Sequence, residues 1–133
     1  MIVVDASAAA LLFGDPTADD RVIDAHRALT ADPAWAVPEH WHTEVFCTLR
    51  GLWLGRKISD EHATNAVDAL SHLVVAVTPT APLLPRMWEL RSTVSGYDAA
   101  YLACAELHDC SLVTADARLA RSNAGRCKIE LIT

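Results

Sequence analysis

Two aspartates in this chain stand where a parallel β-sheet would present them side by side. Asp5 directly follows the apolar run Ile2-Val3-Val4, and Asp116 follows Leu112-Val113-Thr114 by one residue. Short buried strands that each end on an acid deliver two carboxylates to the carboxyl edge of one sheet, where open α/β folds place their sites. A third acid, Asp98, lies in the first turn of a helix that opens at Ser95, and a fourth, Glu44, lies at the edge of the apolar face of a long helix. Carboxylates gathered in one place raise each other's pKa unless a cation sits among them. All-oxygen ligands select a hard ion, Mg²⁺ with Mn²⁺ as its substitute. Such a site can acidify a water, aim it in line at phosphorus and stabilise the leaving oxygen. Ser7 and Thr114 place hydroxyls beside Asp5 and Asp116, where they suit hydrogen bonds that orient the carboxylates.

Each acid also has a structural reading. Ser95-Gly96-Tyr97-Asp98 fits a capping box, Asp116 fits the N-cap of the helix that follows it, and Glu44 fits a solvated helix face. Capping or turn formation accounts equally well for Ser7 and Thr114. Asp5 is harder to dismiss. An acid that ends a buried strand is costly unless something pairs with it, and no Lys or Arg lies nearby in sequence.

The elements that must position these residues alternate between strand and helix. After the first strand, Ala6 to Phe13 reads as a helix stopped by Gly14-Asp15-Pro16, and Thr17 reads as the N-cap of a helix running to about Leu29. Ala34 to Val37 is a second strand, with Pro38 in the first turn of a helix that reaches Leu54 and closes at Gly55. Ser59-Asp60-Glu61 caps another helix, and Leu73 to Val77 reads as a strand buried on both faces. A helix follows from Leu83 or Pro85 to about Arg91. Strands at Leu112–Thr114 and Lys128–Ile132, with a helix from Ala117 to Ser122 between them, complete the set. Five strands separated by helices imply right-handed crossovers and an α/β fold: one domain over residues 1–133, a central five-stranded parallel sheet with helices on both faces.

Composition narrows the function. A hydrophobic fraction of 52% supports a compact core, yet no apolar run approaches the roughly 20 residues that span a bilayer, and Asp5 breaks any signal-peptide pattern. The four cysteines form no C-x-x-C pair; Cys47 and Cys104 fall in helical apolar patterns and read as buried free thiols of a reduced, cytoplasmic protein. A net charge of −6 argues against indiscriminate nucleic-acid binding, so a polyanionic ligand would rely on bound metal and local basic residues. Arg118 and Arg121 share a face just after Asp116, and Arg91 precedes Asp98; these three are the candidates for phosphate contacts. Zinc at His40-Trp41-His42 is disfavoured, because positions two apart on a helix point about 200° apart.

The opening IVVDASA, the helix that runs Glu44-Val45-Phe46-Cys47-Thr48-Leu49-Arg50, the motif SGYDAAYLA from Ser95 and the motif LVTADARL from Leu112 resemble the PIN domain, and within it the VapC toxins of toxin–antitoxin operons. The resemblance covers essentially the whole chain, in order and spacing. It implies a Mg²⁺-dependent endoribonuclease whose acidic set is Asp5, Glu44, Asp98 and Asp116, with Ser7 and Thr114 in support and Asp5 and Asp98 as the foremost metal ligands. It also implies cleavage of specific tRNA or rRNA, a homodimer, and silencing by a small VapB-type antitoxin whose tail lies along a groove; Trp35, Trp41, Trp53 and Trp88 are candidates for that groove, for the dimer face or for plain core. One departure stands out. Relatives often carry an asparagine where this chain has Cys47, which lacks an amide's paired donor and acceptor. The alternative is a PIN-like module that binds RNA or protein without cutting.

Overall fold

A computed structural model describes residues 1–133. Its centre is β1 (Ile2–Val4), three consecutive buried residues flanked on both sides by partners. The sheet has the order β3-β2-β1-β4-β5, with every pair parallel: β2 is Trp35–Pro38, β3 Ala76–Thr78, β4 Ser111–Thr114 and β5 Ile129–Leu131. The chain winds outward from β1 to β3 on one side, then returns to lay β4 on the other. The crevice between β1 and β4 is therefore the point where strand order reverses, the expected place for a site. The register Val4↔Val113 carries Asp5 alongside Thr114, and the Asp5 N–H donates to the Val113 carbonyl at 3.1 Å.

Seven helices cover the sheet: α1 (Ala6–Leu12), α2 (Arg21–Ala31), α3 (Trp41–Leu54), α4 (Asp60–His72), α5 (Leu84–Glu89), α6 (Gly96–Leu107) and α7 (Ala117–Arg121). Helix α6 is the most enclosed. Ala99 to Ala105 are all buried, and their mostly small side chains let the helix lie close against β1, β2 and β4. Helix α1 is likewise alanine-rich and packs between α2, α3 and β4. On α3 the stripe Trp41, Val45, Leu49 faces the core, as the helical spacing predicts. No helix is long and apolar enough to cross a membrane.

Four local expectations are corrected. Strand β3 is not buried on both faces; it forms a sheet edge, with Val77 49% exposed and Val74, just before it, 92% exposed. The helix leading into it, α4, packs against α3. Thr17 is not a helix N-cap. Its N–H and hydroxyl both donate to Asp15 Oδ1 (2.8 and 2.7 Å), a local turn that outcompetes helix initiation until Arg21. Pro38 ends β2 instead of opening α3, which begins at Trp41. Cys104 is buried as expected, but Cys47 is exposed, because it lies two residues, about 200° around the helix, from the core residues Val45 and Leu49.

Candidate active site

Asp5 is the residue on which the crevice is built. It caps the N-terminus of α1, and its Oδ1 accepts from the Ala8 N–H at 2.9 Å and from the Ser7 hydroxyl at 2.7 Å. The Thr114 hydroxyl donates to Oδ2. The support itself is supported: the Ala115 N–H donates to Ser7 Oγ at 2.9 Å and the Asp116 N–H to Thr114 Oγ1 at 3.0 Å, so the β4–α7 loop fixes both hydroxyls. Asp5 is only 4% exposed and has no Lys or Arg partner. Burial pushes its carboxyl up to about 6, a rise that the three hydrogen bonds reduce and the nearby Glu44 charge adds to.

Asp98 projects from the first turn of α6. Ser95 is the N-cap there, accepting from the Asp98 N–H at 3.2 Å. The reciprocal half of a capping box is missing, since the Asp98 carboxylate makes no bond to the Ser95 backbone. It is left half-buried, and its pKa is raised, first by burial and then by the charges of Asp116 and Glu44, against lowering contributions from Ser95 and Arg118. Asp116 does cap α7, accepting from the Arg118 and Leu119 N–H groups at 2.8 and 3.3 Å. Structural and chemical readings therefore coexist at Asp5 and Asp116.

Glu44 joins the same cleft from α3, and here the structure reveals two residues that sequence reasoning passed over. The buried Tyr101 of α6 donates its hydroxyl to Glu44 Oε2 at 2.7 Å. His40 Nε2 lies 3.1 Å from the same oxygen, close enough for a charge contact but off the line of a hydrogen bond, leaving that ring nitrogen without a hydrogen-bond partner. Burial alone would raise the Glu44 pKa, but the contacts with His40 and Tyr101 outweigh it and lower the value. Burial and the Glu44 carboxylate raise the Tyr101 phenol, so it stays a donor. His40 is wedged between Tyr97 and Tyr101, with ring centroids 4.7 and 5.0 Å away, while His42 turns edge-on to Trp41. Cys47, one turn along from Glu44, takes no part. The signal for this support was present in the sequence as an aromatic in SGYDAAYLA one turn beyond Asp98, but nothing in its spacing points it at Glu44.

The basic candidates separate. Arg91 and Arg118 line one cavity with Asp98, and Arg121 does not. Of the tryptophans, Trp35 and Trp41 are core, whereas Trp53 and Trp88 are exposed. Together with Phe46, Leu49 and Val67, Trp53 lines an apolar groove of about 670 Å³ between α3 and α4.

The four acids fit a hard cation by chemistry: every donor is oxygen, they sense one another's charge, and the most buried one has no basic partner. No three His, Cys, Asp or Glu side chains lie close enough together to hold a metal ion among them. A Mg²⁺ ion needs only one or two carboxylates and takes its other oxygens from water and substrate.

Comparison with known proteins agrees with this architecture. The PIN domain family model matches residues 2–124. Ribonuclease VapC9 of Mycobacterium tuberculosis is 37% identical over 133 residues, covering 99% of this chain and 98% of the relative. The chain belongs to the PIN-domain family, among the VapC ribonucleases. Among solved structures, Mycobacterium tuberculosis VapC20, described as a sarcin–ricin loop cleaving toxin, superposes with a TM-score of 0.67 at 24% identity, covering 93% of this chain and 96% of that one. VapBC2 from Rickettsia felis, bound to a DNA fragment of its promoter, superposes at 0.65 with 13% identity and full coverage of both chains. These last two speak to the fold, and the five-stranded parallel PIN architecture expected from the sequence is the one observed.

Proposed function

We propose that this VapC-family chain is the toxin of a type II toxin–antitoxin pair, a Mg²⁺-dependent endoribonuclease that cuts phosphodiester bonds in specific tRNA or rRNA and so stops translation. The observation that carries the proposal is Asp5: a carboxylate buried at the strand-order reversal, oriented by two hydroxyls and an amide, with no cation of its own and the Glu44 charge close by, Glu44 in turn acting on Asp98 together with Asp116. Asp5 and Asp98 would hold Mg²⁺, or Mn²⁺ in its place, with Asp116 and Glu44 at its periphery. Bound there, the ion would neutralise phosphodiester charge and make a water more acidic. The chain's own residues do the rest. Ser7 and Thr114 lock the Asp5 rotamer, and Tyr101 with His40 keeps Glu44 ionised at neutral pH, ready to accept a proton or orient a water.

The names of the relatives support an RNA substrate, and the VapBC2 assembly supports a VapB-type antitoxin as partner. The apolar groove between α3 and α4 has the chemistry to take an amphipathic antitoxin segment, and the chain's cytoplasmic location and homodimeric state belong to the same reading. The test is cleavage of total tRNA and rRNA by the antitoxin-free chain, with Mg²⁺ or Mn²⁺ against EDTA, beside the Asp98→Asn variant. Discrete fragments that need both metal and Asp98 are expected. Intact RNA throughout, from a folded protein that binds metal, would overturn the nuclease in favour of a PIN-like binding module.

A further inference from the structure

The cavity beside Asp98 joins two arginines and several hydroxyls to an acid of the site. It is formed where the segment before α6 meets α7 and encloses about 260 Å³, lined chiefly by Arg91, Ser92, Thr93, Ser95, Asp98 and Arg118. Neither of its two arginines is hydrogen-bonded to a carboxylate. Arg86, by contrast, is consumed by Glu106 and Glu89, and Arg21 by Asp19. Arg118 reaches Asp116 only at 3.8 Å, too far for a hydrogen bond. Arg91 is held in place without being neutralised: its guanidinium lies 4.2 Å from the ring centroid of the exposed Trp88, and Nη1 donates to the Trp88 carbonyl at 2.7 Å. The hydroxyls of Ser92 and Thr93 make no hydrogen bond within the chain.

The geometry points to a subsite for the backbone phosphate next to the scissile one, gripped by Arg91 and Arg118 as single-stranded RNA passes over Asp98. The assignment rests on the ribonuclease reading. The lining decides which part of a nucleotide enters: the cavity, about 260 Å³, has room for a phosphodiester group, and its two guanidinium groups and free hydroxyls suit that anion better than a base. Planar guanidinium forks match phosphate oxygens in pairs, and the free hydroxyls complete the shell. The adjoining Asp98 carboxylate opposes a phosphate at this place, and the Asp98→Asn variant removes that opposition.

The experiment is binding of a fluorescein-labelled single-stranded RNA of mixed sequence to the Asp98→Asn chain in EDTA, where nothing is cut, across a range of KCl. Arg91→Gln and Arg118→Gln should each weaken binding several-fold and flatten the log–log salt slope by about 0.7, as expected for one lost phosphate contact on a single strand. Arg91→Lys and Arg118→Lys should restore the slope, and Arg121→Gln should leave it unchanged. In the cutting protein the same Gln variants should raise KM with little change in kcat. Unchanged slopes at Arg91 and Arg118, an equal loss at Arg121, or no RNA binding at all would overturn the subsite. The two readings fail separately. A chain that cuts RNA but keeps its slope loses only the subsite; a chain that never cuts but binds with an Arg91- and Arg118-dependent slope loses only the nuclease.

Discussion

Replacing Asp5 with asparagine should make the metal-free protein more stable at neutral pH. The ordinary carboxyl value of 3.8 rises to about 6 in the folded chain. Because the folded value lies above the unfolded one, the native state keeps its proton to higher pH. This group therefore costs nothing below about pH 4, its penalty grows as pH rises from 3.8 to about 6, and it stays constant above that. At about 1.4 kcal/mol per pKa unit the full penalty is about 3 kcal/mol. Asparagine removes the charge at little cost in hydrogen bonding. With its oxygen at the Oδ1 position it still accepts from Ser7 and Ala8, and its amide then donates to Thr114. Thr114 can turn its own proton toward Ser7 Oγ, 3.2 Å away, so the existing donors keep acceptors and only the second amide N–H of the asparagine is left without one. Allowing about 1 kcal/mol for the rearrangement, Asp5→Asn should gain about 2 kcal/mol above pH 6, roughly 6–8 °C in Tm for a chain of this size. Urea or thermal unfolding in EDTA between about pH 4.5 and 7.5 reads the difference between the two proteins. The gap should open with rising pH, and Mg²⁺ should close it by stabilising the wild type alone. A gap that is constant with pH, or a variant less stable throughout, would refute the claim that Asp5 carries an uncompensated charge.

Asp98→Asn should abolish metal-dependent cutting while leaving the circular dichroism spectrum and antitoxin binding intact, since that carboxylate is half-buried and its one local partner is the Ser95 hydroxyl, which the asparagine oxygen can keep. Tyr101→Phe should cost about 1–2 kcal/mol in urea unfolding, because it strips a half-buried carboxylate of its donor; Glu44→Gln, which removes the charge together with the need for that donor, should lose less activity than either aspartate variant. Chelation with EDTA should stop RNA cleavage in a gel assay, and added Mg²⁺ or Mn²⁺ should restore it. Cys47 should react with a thiol reagent in the native protein and Cys104 only on unfolding, as a spectrophotometric titration with and without urea would record.

The parallel sheet and the placement of Asp5 and Asp116 were legible because strand ends are punctuated: three or four apolar residues followed by an acid leave few places for that acid to go. The caps at Ser59 and Ser95 were legible for the same local reason, and the structure places both as N-caps. What failed was whatever depended on a neighbour distant in sequence. Leu73 to Val77 has the composition of a doubly covered strand, and only the sheet order shows that no strand lies beyond it. Cys47 and Tyr101 illustrate the limit at the site. Both sit in apolar helical stretches, yet one faces solvent and the other turns a single hydroxyl onto Glu44, a contact spanning 57 positions that no periodicity encodes. Likewise, nothing in the spacing of Arg91, Arg118 and Arg121 says that two meet at Asp98 and the third does not.

The buried, unpartnered carboxylate at the end of β1 also bears on how such a gene decays. An aspartate codon becomes an asparagine codon by a single transition, so the commonest kind of point mutation converts Asp5 into a neutral residue of the same shape that keeps most of its hydrogen-bond cradle. Selection against a poison usually removes the protein through truncation or misfolding, and proteases clear the remains. On the proposed function, the easiest loss of activity here would yield a sturdier chain that persists, retains its outer surfaces and still binds the neutralising partner. A cell carrying that allele beside an intact copy would hold a decoy that depletes the pool of inhibitor, and the harmless version would sensitise its host to the harmful one.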